Sequence, residues 1–264
     1  MTNEYFVASQ EVEDFHKEVL KFASFVTLEI GEEYRKSYGA PITNGALYSI
    51  ATDSIALHKV VYSLCLNGWA FAAAVILRTM LDLYANILVI VNAKNNESEF
   101  MAFRYTHCFL KANLNDPVLA DEPKKQIMEG LKQLHDDIRS KAHDYIFKGK
   151  LLGYWYSPEY SNTKNILDTF DTSLKSDFYN KLSSASHGGL LGLRLFKDSP
   201  DEKNPNPRAD KKSQNLALSV SNHLILEIFG RYGHFMDPSA DDIYINLSEK
   251  FKSLKSVVKE QSEA

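Results

Sequence analysis

The sequence predicts an all-α fold: an antiparallel multi-helix bundle folded as a single domain. Three observations carry that expectation. Apolar residues recur at helical spacing through most of the 264 residues. Turn signals at Gly39-Ala40-Pro41, Asn67-Gly68, Asn115-Asp116-Pro117 and Asp237-Pro238 cut that pattern into helix-length segments. No run alternates as a half-buried strand would, and no internal repeat is visible.

The elements follow in order. A first helix is expected from Ser9 to Tyr38, where Gly39-Ala40-Pro41 stops it. A second starts at Thr43 or Asn44 and ends at Asn67-Gly68, the residue type that terminates helices. Trp69 to Val91 forms a third, a fourth covers Ser98 to Leu114, and a fifth covers Glu122 to Lys148. After an aromatic connector around Trp155, short helices are expected over Thr163–Phe170 and Leu174–Ser186, the latter ending at His187-Gly188-Gly189. Asp198 to Lys212 holds three prolines and many charges and reads as an exposed loop. Helices over 213–232 and 240–258 close the chain, so the core is placed at 44–189 with C-terminal helices over 213–258.

Composition narrows the functional classes. With 30 Lys and Arg against 34 Asp and Glu, the formal net charge is -4. That balance exerts no general pull on nucleic acid or acidic membranes, although a local basic pocket is compatible with it. Cys65 and Cys108 each sit in an apolar pattern without a ligand-spaced partner, as core thiols of a reducing compartment would. The N-terminus has no basic start, apolar run or cleavage site, so a cytoplasmic protein is expected. Trp69–Val91 has the length of a membrane span, but Arg78, Asp82 and Asn86 fall across its middle. A buried helix of a protein outside the membrane accounts for it better.

That helix carries the most informative pattern. Arg78, Asp82 and Asn86 are spaced i, i+4, i+8 and share one face. A buried arginine must be paired, and Asp82 is one turn away. The stripe is either an ion pair that fixes helix register or part of a pocket where Arg78 holds an anion. Tyr179, Ser183 and His187 repeat the spacing on another helix and supply hydroxyls and a group that titrates near neutrality. If the two stripes face each other, Arg78, Asp82, Tyr179, Ser183 and His187 form one ligand-binding constellation.

Other stripes read as structure. Asn215, Ser219, His223, Glu227 and Arg231 suggest a solvated face, as do His135, Arg139 and His143. Ser54, His58 and Tyr62 suggest a satisfied core histidine. Metal ligation is not expected: Glu13 and His16 make a single ExxH, whereas a bundle di-iron site needs two with two more carboxylates. No cofactor is expected either, because Gly188-Gly189-Leu190-Leu191-Gly192 follows a helix rather than a strand.

The segment AAAVILRTMLDLYANILVI resembles the Arg-x-x-x-acid helix of a group of mostly bacterial proteins, the domain of unknown function 5677. DFYNKLSSASHGG resembles that family's second signature of Tyr, Ser and His at helical spacing. The resemblance covers Asn44 to Gly189, and Asp82 stands where the family more often has Glu. A weaker similarity links the pattern to the HEPN group of toxin and defence domains, whose members often cut RNA with an Arg and a His separated by four to six residues. Arg139-Ser140-Lys141-Ala142-His143 departs from that spacing, which argues against a standard ribonuclease site.

Three functions remain open at this level. The first is a polar pocket for a small anionic or nucleotide-like ligand, in bacterial stress or phage defence. The second is a metal-independent ribonuclease, with His187 as catalytic acid or base and Arg78 stabilising phosphorane charge. The third is a structural protein whose stripes are only buried networks. The expected partner is a small anion or RNA, not a membrane, with self-association left open.

Overall fold

The computed structural model describes residues 10–38, 42–93, 97–114, 120–141, 146–147, 150–151, 162–170, 179, 182–183 and 211–263. The fold is an all-α helical bundle. Its helices are α1 (Gln10–Phe25), a π-helical segment (Val26–Ile30) continued by α2 (Gly31–Tyr38), α3 (Ile42–Leu66), α4 (Ala70–Val91), α5 (Ser98–Leu114), α6 (Asp121–Lys141), α7 (Thr163–Phe170), α8 (Lys211–Met236) and α9 (Asp241–Glu263).

The central element is α4. Ala70, Ala73, Ala74, Leu77, Met80, Leu81, Tyr84, Ala85, Ile87, Leu88, Val89 and Ile90 are all buried, whereas Val75 is exposed and Ile76 and Leu83 are half-buried. Ala72–Val91 is long and apolar enough to cross a bilayer by length and composition. Here it packs against α3, α8, α5 and α7. The turn between α3 and α4 follows from sequence chemistry. Gly68 takes φ 80°, the left-handed conformation that favours glycine. Its N–H donates to the Cys65 carbonyl at 3.0 Å and the Trp69 N–H to the Leu64 carbonyl at 2.8 Å, a Schellman closure that reverses the chain.

The remaining helices enclose this pair. α1 lays Val12, Phe15, Val19, Phe22 and Ala23 on the core, against α8 and α9. Its continuation widens by one residue: the Gly31 N–H reaches back to the Val26 carbonyl. Asp237 starts the last stretch, accepting the Ser239 N–H at 2.9 Å with Pro238 at the first position of a short 3-10 turn.

Several boundaries differ from expectation. The fifth helix ends at Lys141, not Lys148. Beyond it Ile146–Phe147 pairs antiparallel with Lys150–Leu151, a ladder too short to leave an alternating pattern. The helix expected to end at Tyr232 continues to Met236, because the residues that follow Gly230 still face the core through Tyr232 and Gly233. Lys211 and Lys212, assigned to the exposed loop, open α8. The rest of that loop lies outside the described residues, as does most of the helix expected over 174–186. Cys65 is buried with its thiol pushed up to about 12 by burial, and Cys108 is half-buried.

Close packing of α8 against α9 rests on glycine. A Cβ at Gly230 would collide with the Tyr244 ring, which a 2.7 Å bond from its hydroxyl to Glu227 holds in place. Gly230→Ala should therefore destabilise the protein by about 1–3 kcal/mol despite the better helix propensity of alanine. Urea denaturation of the two proteins measures it, and an unchanged midpoint would show that α9 yields freely.

Candidate functional site

The stripe on α4 meets a residue far along the chain, Tyr179. Arg78 forms an ion pair through Nη1 with Asp82 one turn on; the approach is a charge contact rather than an aligned hydrogen bond. Nη2 donates to the Tyr179 hydroxyl at 2.5 Å, and the guanidinium carbon lies 4.1 Å from the centre of the Tyr179 ring. The phenol thus grips the guanidinium by both its oxygen and its π face. α7 supplies a further partner, because Thr163 Oγ1 donates to Asp82 Oδ1 at 2.5 Å. Thr163 is placed by the cap at the start of α7, where Asn162 Oδ1 accepts the Asn165 N–H at 3.0 Å.

Two features depart from a sealed core network. The Arg78 side chain is 16% exposed, but that of Asp82 is 42% exposed. The cluster therefore sits where the apolar face of α4 ends, and water reaches the carboxylate. Asn86 and Ser183 are half-buried. His187 lies outside the described residues, so the structure joins Arg78, Asp82 and Tyr179 and adds Thr163. Nothing in the sequence pairs Thr163 with Asp82, since 81 positions separate them.

A second polar line runs through the core. His58 is fully buried, as a core histidine should be, and both ring nitrogens have partners. Nδ1 lies 2.6 Å from Ser221 Oγ and Nε2 lies 2.8 Å from His16 Nδ1. His16 stacks on Tyr62 at 4.3 Å between ring centres, and the Tyr62 hydroxyl donates to Glu13 at 3.5 Å. The ExxH pair on α1 is thus spent on a histidine contact. Burial, aided by the charges of His16 and Lys59, drives His58 down to about 3. Burial also lowers His16, against the pull of Asn222 and Glu13.

The α8 stripe corrects the expectation of a solvated face. Glu227 is 7% exposed and receives the hydroxyls of Tyr244 at 2.7 Å and Tyr84 at 3.4 Å. His223 and Arg231 approach the same carboxylate at 4.0 and 3.9 Å. α9 covers this face, and His223 stacks on Phe251 of that helix at 4.9 Å. No group of three or more metal-ligating side chains gathers among the described residues.

A helical bundle with a polar cluster at the edge of its most apolar helix is the class this geometry defines. The chain belongs to the family described as "Family of unknown function (DUF5677)", whose model matches residues 45–204. That span contains both signature stripes. No curated protein and no solved structure shows a significant match to the chain.

Two outcomes follow from these networks. An unfolded histidine titrates near 6.5 and folded His58 near 3, so across that window the unfolded chain holds a proton the folded one refuses. Stability should fall as pH drops from 6.5 toward 3, and His58→Gln should flatten that decline, measured by denaturation at successive pH values. A double-mutant cycle on Arg78→Ala and Tyr179→Phe should show coupling of about 0.5–3 kcal/mol. Because Asp82 keeps water, Arg78→Ala alone should cost about 1–2 kcal/mol rather than the larger penalty of a sealed ion pair.

Proposed function

We propose that this chain is a binding protein whose Arg78–Asp82–Tyr179 cluster receives a small anionic or nucleotide-like ligand. The observation that carries this reading is a clamped, mostly buried guanidinium whose carboxylate partner is open to water. Tyr179 fixes its plane and one edge, while its carboxylate partner stands 42% exposed. With the guanidinium held flat in this way, Nη1, which makes no aligned hydrogen bond, is the donor left for a phosphate or carboxylate that enters past Asp82, at little further entropic cost. Asp82, kept in place by Thr163, is positioned to accept a hydroxyl such as that of a ribose.

The test is thermal denaturation of the whole protein with inorganic phosphate, AMP and ADP. A ligand at a hundred times its Kd adds about 2.7 kcal/mol and should raise Tm by roughly 5–10 °C for a chain of this size. Arg78→Gln should remove the shift, and Tyr179→Phe should reduce it. Equal shifts in wild type and Arg78→Gln, or none with any of the three, would sink the reading. Cleavage of RNA without added metal, lost in both Arg78→Gln and His187→Ala, would replace it with the ribonuclease.

A further inference from the structure

A cleft of about 500 Å³ opens on another side of the molecule, between the π-helical segment with α2 and the facing sides of α3 and α5. That volume falls in the range of small-molecule sites, which are concave and largely apolar with a few placed polar groups. Its walls include Leu28, Tyr48, Tyr105 and Phe109. Three of these are left open to water: Leu28 is 61% exposed, Tyr48 47% and Phe109 42%. Exposed aromatic and apolar side chains gathered around one concavity offer a ligand ring faces to stack on.

Two of the polar groups on its walls can hold an anion. Asn44 Oδ1 is taken by the hydroxyl of buried Tyr232 at 2.7 Å, so the amide turns its NH2 group, a donor, away from that bond. Arg35 stands exposed on the α2 wall and makes no ion pair with any described residue. Glu32 shares that wall, but its carboxylate is drawn to Lys36 at 4.0 Å. Arg35 and the Asn44 amide therefore border an aromatic recess, beside the Glu32 carboxylate that Lys36 balances. Gly45 leaves room there, since a Cβ added to it meets nothing within 4 Å.

We infer that this cleft is a binding site for a flat aromatic monoanion, its ring between Tyr48 on one side and the stacked pair of Tyr105 and Phe109 on the other and its anionic group toward Arg35 and Asn44. The site shares no residue with the Arg78 cluster, so either can fail without the other. Offset stacking on phenol and phenyl faces favours a planar ring over a branched aliphatic one. Charge-assisted donation from Arg35 favours a carboxylate or sulfonate over a neutral head.

The probe is naphthalene-2-carboxylate, titrated into the full chain and followed by its fluorescence anisotropy. Saturable one-site binding is expected. Arg35→Ala should weaken it about tenfold, the loss of one charge-assisted hydrogen bond, and naphthalene-2-carboxamide should bind about tenfold more weakly to the wild type. Gly45→Trp should abolish binding by filling the recess; should it fail to fold, Thr106→Trp on the facing wall serves the same purpose, with melting curves confirming the fold. Absence of saturable binding, binding that survives a folded blocking variant, or a carboxamide that binds as tightly as the carboxylate would each overturn the inference.

Discussion

A helix that is apolar on most of its circumference has to be packed on several sides, and the polar side chains it does carry find partners at the boundary of that packing. α4 imposes that condition on the rest of the fold. Its alanines let α3 and α8 approach closely, and its larger residues fill the space between them. Four of its polar side chains and sulfur atoms then meet a distant residue. Arg78 takes Tyr179, Asp82 takes Thr163, Tyr84 takes Glu227, and the Met80 sulfur receives the Ser221 hydroxyl at 3.7 Å. The polar architecture of the bundle is largely a map of where α4 is not hydrocarbon.

The same condition explains which parts could be read from sequence. Helix limits at Leu66, Val91, Leu114 and Phe170 were legible because local chemistry sets them: a glycine turn, an asparagine cap, a proline downstream. The Arg78 stripe was legible because charge at helical spacing in an apolar segment has no bland position to occupy. Its meeting with Tyr179 was inferable from complementarity, a guanidinium with more donors than Asp82 can accept facing a stripe of hydroxyls. Its half-open carboxylate was not, because exposure depends on where α7 docks.

Glu227 shows the opposite case. Five polar residues at four-residue spacing look like a wet face, and the docking of α9 buries Glu227 in the middle of it while Arg231 stays half-open. That docking depends on a glycine at 230 and a tyrosine at 244, a pair whose significance appears only once the two helices touch. His16 and His58 are similar. Each belongs to a plausible local pattern, but their contact crosses 42 residues and converts two isolated histidines into one line from Ser221 to Glu13. Periodicity reports which face a residue occupies and says nothing about what arrives there.

The wide turn at Val26–Ile30 carries a consequence for how this chain can vary in length. It takes up one residue more than an α-helical turn would, inside a single turn, so the residues after it keep the phase of an uninterrupted helix. Losing one residue there would restore an unbroken α-helix and leave Glu32, Tyr34 and Arg35 on the side they now occupy. Each residue of an α-helix advances the face by about 100°, so losing one between Gly31 and Arg35 instead would turn Arg35 by that angle and away from the wall of the aromatic cleft. A single-residue deletion that is harmless at the wide turn would thus erase a surface a few positions later, and Val26–Ile30 is where this helix can change length and keep its faces.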